Sequence, residues 1–292
     1  MPEQNFVDRS FIKDYSLNYH LSLQADRSGL AFCIRDNVKG NFIVFRTYRF
    51  EHVYLTSDLV GQVISVLDRD EILRLPFHSV HFMGYSQQST LVPAIYYSVG
   101  KLADYIDFNV GDSSDGELFR NLIRPLETYN VFTLPRALVS LVTLHFKKVE
   151  FSSQTTPFLL NLFIGKKSEK VPVIFVGLNT DFFDIAVKDK DKLLLYNTFQ
   201  FVNETDLLYY VLFVCKQLSL KMQDIPLVIS GELSSRLVYS ETLKPYFPAL
   251  QFDDAMAISP LASGLQPVMT YKYLNLFNLQ ACELSAESIK VE

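Results

Sequence analysis

Few residues in this chain have the types and spacing that catalysis needs. Cys33, Cys215 and Cys282 are far apart and form no C-x-x-C pair, so neither a zinc site nor a disulfide framework is suggested. His78 and His81 are three apart in a strand-like stretch and face opposite sides, which disfavours a shared metal. Asp253-Asp254 is a carboxylate pair, but neighbours at a strand end point apart and read as solvated. Asp112-Ser113-Ser114-Asp115-Gly116 is too short for a calcium loop with its distal Glu and reads as a surface turn. No G-x-S-x-G, Walker A or H-E-x-x-H pattern occurs. Three small polar turns remain. They hold Asp26, Ser28 and Gly29; Gly177, Asn179 and Thr180; and Ser230, Gly231 and Glu232. As residues alone they are ordinary turn formers, and Gly after a buried strand is also a close-packing device. Contact with a bound ligand is the second reading of each.

The elements carrying these turns are strands that feed helices. Residues 19–35 read as two strands around Asp26-Arg27-Ser28-Gly29, and residues 41–50 as a third. Thr56-Ser57-Asp58 offers N-cap chemistry for a helix to about residue 73, with Leu59, Val63, Val66 and Leu67 on one face. A short strand, 79–84, precedes a helix predicted over 91–108. In the second half, residues 171–187 give two strands and 193–201 a third. Asn203-Glu204-Thr205-Asp206 caps a helix over 207–218 that is apolar nearly all round, the pattern of a buried helix. Strand 225–230, Gly231 and a helix over 234–246 follow. Between the halves, Asn130-Val131-Phe132-Thr133-Leu134 is a strand, Pro135 opens a helix to Lys147, and Val149-Glu150-Phe151 is another strand.

The two halves share a βββαβα order at a period of about 150 residues, too long for a solenoid and right for duplicated lobes. Arg35-Asp36 falls on Lys188-Asp189, and Thr47-Tyr48-Arg49-Phe50 on Thr198-Phe199-Gln200-Phe201. Asp58-Leu59 falls on Asp206-Leu207, and Val80-His81-Phe82-Met83-Gly84 on Leu227-Val228-Ile229-Ser230-Gly231. The polar stretch 165–170 marks a boundary, so residues 1–167 form a first lobe and 168–292 a second.

Composition agrees with a folded α/β chain. Hydrophobic residues make up 49% and charged residues 20% of 292, enough to bury a sizeable core. A net charge of −5 with no basic stripe argues against nucleic acid, whose binding rests on phosphate neutralisation. Met1-Pro2-Glu3-Gln4-Asn5 lacks the basic and apolar regions of a signal peptide. The longest strongly apolar stretch, 207–215, is far short of the roughly 18–20 residues of a membrane helix. A cytoplasmic protein without a transmembrane segment is expected.

A duplicated βββαβα pair with a central hinge resembles the actin-like ATPase superfamily, a two-lobed α/β fold of ribonuclease H-like lobes with mixed sheets. Within it the chain is similar to the pilus-assembly protein PilM and the division protein FtsA. Residues 175–187 resemble their second phosphate-loop hairpin, and Ile229-Ser230-Gly231-Glu232-Leu233-Ser234-Ser235-Arg236 their adenosine-binding turn. Thr90-Leu91-Val92-Pro93 and Tyr196-Asn197-Thr198-Phe199 also look like an uncharacterised family of Bacteroidetes proteins with this fold. The resemblance makes Asp26, Ser28, Gly29, Gly177, Asn179, Thr180, Ser230, Gly231 and Glu232 the nucleotide-contacting positions. Such a site needs a carboxylate for magnesium and small residues against phosphate. Here Gly177 stands at the carboxylate position and Asn179 at the glycine position, with Phe183 near the expected Thr. In the first lobe either Gln24 and Asp26 or Asp26 and Ser28 take those two positions. Glu232 replaces a glycine. The expectation is a degenerate, non-enzymatic member with no required cofactor and only residual ATP or magnesium contact, working through an unidentified protein partner or as a homodimer. A divergent ATPase or small-molecule kinase is the alternative, with Asp26, Glu150 or Asp184 as its carboxylate.

Overall fold

The computed structural model describes residues 1–111, 114, 116–164, 171–231, 238, 240–253 and 257–281. The chain divides into two compact units. The first holds residues 1–160, Ala257–Val268 and the described residues from Asn275 on; the second holds Asn161–Met256 and Met269–Leu274. The late segments join the first unit through backbone pairing and ring packing. Phe42 N–H donates to Pro260 O and Ala262 N–H to Phe42 O, both at 2.9 Å, and Phe277 packs edge-on against Phe42 with centroids 4.9 Å apart.

In the first unit, β1 Gln4–Val7, β2 Tyr19–Ala25, β3 Gly29–Asp36 and β4 Asn41–Arg49 lead into α1 Thr56–Arg69 and β5 Ser79–Gly84. β6 Ser89–Pro93, α2 Leu102–Asn109, β7 Gly116–Ile123 and β8 Thr128–Pro135 follow, then α3 Arg136–His145, β9 Val149–Ser153 and α4 Thr155–Phe163. The main sheet runs β1-β4-β3-β2-β5-β9, with β2, β5 and β9 parallel. Parallel strands covered on both faces read as near-continuous apolar runs, and six of the seven β2 residues are buried. α1 and α3 cover the core with Val63, Val66, Leu67, Leu138 and Val142. α1 opens where the Asp58 carboxylate accepts the Tyr54 and Leu55 N–H groups at 3.1 and 2.9 Å.

A three-stranded antiparallel sheet, β6-β8-β7, is inserted between β5 and α3. Sequence predicts one helix over 91–108; the structure makes β6 from Ser89–Pro93 and starts α2 only at Leu102. Pro93 lacks the N–H a helix interior needs, Gly100 weakens the stretch, and β8 offers a ladder from Ser89↔Phe132 to Pro93↔Thr128.

The second unit repeats the first. β10 Val173–Leu178, β11 Phe182–Asp189, β12 Lys192–Gln200, α5 Glu204–Gln217, β13 Leu227–Ser230 and β14 Leu250–Phe252 give the order β12-β11-β10-β13-β14, which matches β4-β3-β2-β5-β9. The likeness reaches single residues. A register slip falls between Ile34 and Arg35 in β3, and another between Val187 and Lys188 in β11. Phe50 N–H donates to Ser28 O at 2.9 Å, and Phe201 N–H to Asp181 O at 3.3 Å. Asp206 accepts the Val202 and Asn203 N–H groups as Asp58 does its own pair. The helix predicted over 234–246 lies partly outside the described residues. Among the described residues no helix is long and apolar enough to cross a membrane.

Two histidines sit inside the parallel strands. His20 reaches Ser79 Oγ at 2.7 Å and Ser22 Oγ at 3.0 Å, and His81 Nε2 reaches Ser152 Oγ at 2.8 Å. Burial foremost holds both imidazoles down to about 3; the Arg35 charge and His78 add to this at His20, and His20 adds to it at His81. An unfolded His protonates near 6.5, so below that pH the unfolded chain binds more protons. The stability these sites contribute is full above pH 6.5 and is lost as pH falls toward 3, by roughly 1.4 kcal/mol per pH unit for each. The melting temperature is therefore expected to drop steadily from pH 7 to pH 5, with a shallower slope in His81→Gln; a flat profile for the unaltered chain would contradict it.

Candidate functional site

The first turn closes β2 onto β3. Asp26 N–H donates to Gly29 O at 3.0 Å, while Asp26 Oδ1 accepts from Ser28 N–H at 2.8 Å, Ser28 O–H at 2.5 Å and Gly29 N–H at 3.0 Å. This is an Asx turn, in which a side chain stands in for backbone. Gly29 lies so close to β4 that a Cβ there would meet Tyr48 O at 2.2 Å.

The second turn is its counterpart. Asn179 N–H donates to Phe182 O at 3.0 Å, as Asp26 does to Gly29. Leu21 pairs with Ile34 and Ile174 with Val187, so counting along the hairpins sets Gln24 against Gly177 and Asp26 against Asn179. Of the two registers open in the sequence, internal symmetry selects the one with Gln24 and Gly177 at equivalent positions. Gly177 is buried, Asn179 half-buried and Thr180 exposed.

Across the ladder from Gly177 stands Asp184, 1% exposed. Its Oδ1 accepts from Tyr196 O–H at 2.7 Å and Thr198 O–H at 2.8 Å, and its Oδ2 from Asn179 Nδ2 at 2.9 Å. Thr198 lies opposite Asp184 on β12, and Tyr196 is two residues away on the same face. Sequence reasoning named Asp184 as a spare carboxylate but missed the role of Tyr196 and Thr198. The signal was partial: counting back from the charged hairpin after β11 sets 184 against 197, and the register slip between Val187 and Lys188 moves it to 198.

The third turn ends β13. Gly177 pairs with Ser230, so Gly177, Asn179, Ser230 and Gly231 share one end of the second unit's sheet. Ser230 Oγ donates to Val176 O at 3.3 Å. Gly231 has φ +116°, and a Cβ there would meet Leu178 O at 2.7 Å. Glu232 lies outside the described residues. Asp26, Ser28 and Gly29 are together in the first unit, and Glu150, the other spare carboxylate, is exposed on β9 opposite His81.

A magnesium nucleotide would ask these positions for a carboxylate that can order the cation's waters and for glycines that leave room for phosphate. The residues do not fit it. Asp184 is enclosed by three donors of its own unit, Asp26 Oδ1 closes its own turn, and Gly29 and Gly231 fit against backbone carbonyls of the fold. Among the described residues no three His, Cys, Asp or Glu side chains gather around a metal position. Burial pushes the Cys33 thiol up and the Cys215 thiol up to about 11, so both behave as core residues.

Two substitutions test this structural reading. Asp184→Ala removes the buried acceptor of three half-buried donors and is expected to cost about 3 kcal/mol in urea unfolding. Gly231→Ala forces a side chain into a left-handed backbone and onto Leu178 O, at a cost on the order of 2 kcal/mol. A stability change below about 0.5 kcal/mol for either would show that the residue is not held for the fold.

The architecture is shared with solved structures. A protein with actin-like ATPase fold and unknown function from Bacteroides thetaiotaomicron matches with a TM-score of 0.77 at 19% identity, over 89% of this chain and 98% of that one. The PilM–PilN type IV pilus biogenesis complex matches with a TM-score of 0.57 at 11% identity, over 91% and 97%. At such identities the likeness shows the fold, which is that of the actin-like ATPases. No curated protein matches the sequence. The model of one protein family of unknown function, DUF3822, matches residues 8–250, and the chain belongs to that family.

Proposed function

We propose that this chain is a non-enzymatic actin-like scaffold that works through protein contacts, its nucleotide loops having become structural turns. The observation that carries the reading is Asp184. It is the buried carboxylate across the ladder from Gly177, which stands where the resemblance expects the magnesium carboxylate, and it accepts hydrogen bonds from Asn179, Tyr196 and Thr198. Recruiting it for a hydrated cation would break those bonds, each worth roughly 1.5–3 kcal/mol when the acceptor is charged. Gly177 supplies no side chain in its place. Nucleotide positions so used leave the lobes as surfaces, and one structure that shares this fold is a PilM–PilN complex.

Calorimetric titration with ATP and ADP, with and without magnesium, tests the proposal on the intact chain. No heat of binding at millimolar nucleotide is expected. Magnesium-dependent binding in the micromolar range would overturn the proposal and move the divergent ATPase or kinase reading ahead.

A further inference from the structure

Helix α5 turns Leu207, Val211, Val214 and Cys215 into the core of its unit. A helix with apolar residues nearly all round was expected to be buried throughout, but its outer side is open. Tyr209 is 62% exposed and Phe213 47%, and Val202, just ahead of the helix, is 93% exposed. The two rings lie 6.5 Å apart and close to parallel, at 18°.

Internal duplication supplies a control for this face. Taking Asp58 with Asp206, the buried Val63, Val66 and Leu67 of α1 fall on Val211, Val214 and Cys215 of α5. The outward Gly61 and Ser65 of α1 fall on Tyr209 and Phe213. The fold therefore needs apolar residues at the inward positions only. The aromatic pair belongs to α5 alone and serves something other than the core.

The spacing identifies the occupant. Within α5, Asp206, Tyr209, Phe213 and Lys216 follow three, four and three apart along one face, the spacing along which a second helix packs. Asp206 lies toward one end and Lys216 toward the other. A two-fold axis through Val211 sets Tyr209 against the partner's Phe213 and Asp206 against the partner's Lys216. The face is thus self-complementary in shape and charge, as an isologous contact requires. A parallel pair would set Lys216 beside the partner's Lys216. We propose that a second copy of this chain docks here, with α5 packed antiparallel on α5 around Tyr209 and Phe213. The interface is independent of whether the loops bind nucleotide.

Sedimentation equilibrium of the full chain without nucleotide, up to about 100 µM, tests it by mass action. A dimer is expected. Phe213→Ser, which installs the α1 residue, should raise its dissociation constant at least tenfold with the far-ultraviolet circular dichroism unchanged. Lys216→Glu should weaken it about tenfold at low salt and less at high salt, since exposed charges are screened. In a parallel pair the same substitution would change nothing. An unaltered chain that stays monomeric, or a dimer indifferent to Phe213→Ser or to Lys216→Glu, would overturn the proposal. Each outcome is separate from the calorimetric one, because no nucleotide is present.

Discussion

The pairing of Gly177 with Asp184 across β10 and β11 governs the second unit's candidate site. Side chains alternate along a strand, so this one register decides which residues share a face. It puts Asp184 on the same side as Tyr196 and Thr198 of β12, and it leaves Asn179 at the turn within reach of the same carboxylate. It also sets Ser230 beside Gly177 through the parallel partner β13, so that Gly231 approaches Leu178 O. A slip of one residue would turn Asp184 to the other face and separate it from its donors. The hairpin is therefore both the scaffold of the unit and the reason its polar residues are occupied.

The equivalent hairpin of β2 and β3 shares its backbone solution but not its side chains. Both turns carry the same four-residue hydrogen bond, both second strands slip at the same place, and both helices open on an aspartate that reaches back to the preceding N–H groups. What differs is chemical. The first unit holds Gln24 and Asp26 where the second holds Gly177 and Asn179. Packing constrains the backbone of both copies alike, while the side chains of the turns differ.

Buried polar groups gain little net stability when satisfied and cost much when left unpaired. That asymmetry explains the economy of the site. Three donors around a 1% exposed carboxylate satisfy it within its own unit. The same rule holds in the first unit at His20, whose two ring nitrogens lie against Ser79 and Ser22 Oγ and whose imidazole stays neutral.

Much of the architecture was legible from the sequence. The strands, the two capped helices and the duplication all follow from local period, turn residues and cap chemistry, which act over a few positions and are written in order along the chain. The matches of Arg35-Asp36 with Lys188-Asp189 and of Asp58-Leu59 with Asp206-Leu207 were readable for that reason. The strand β6 was hidden because its partner β8 lies about forty residues away and pairing outweighed helical spacing. The return of Ala257–Val268 to the first unit rests on long-range pairing with Phe42, which local pattern does not encode. The three turns were found as residues, but their contacts were not, because a turn glycine and a glycine pressed on Tyr48 O or Leu178 O look alike in sequence. Whether α5 was buried on all sides depended on how many neighbours the tertiary structure set around it. By itself the sequence determined the elements, their order and their repetition; the tertiary structure alone decided which polar groups were already satisfied and which apolar face was left open, because both depend on atoms far apart in the chain.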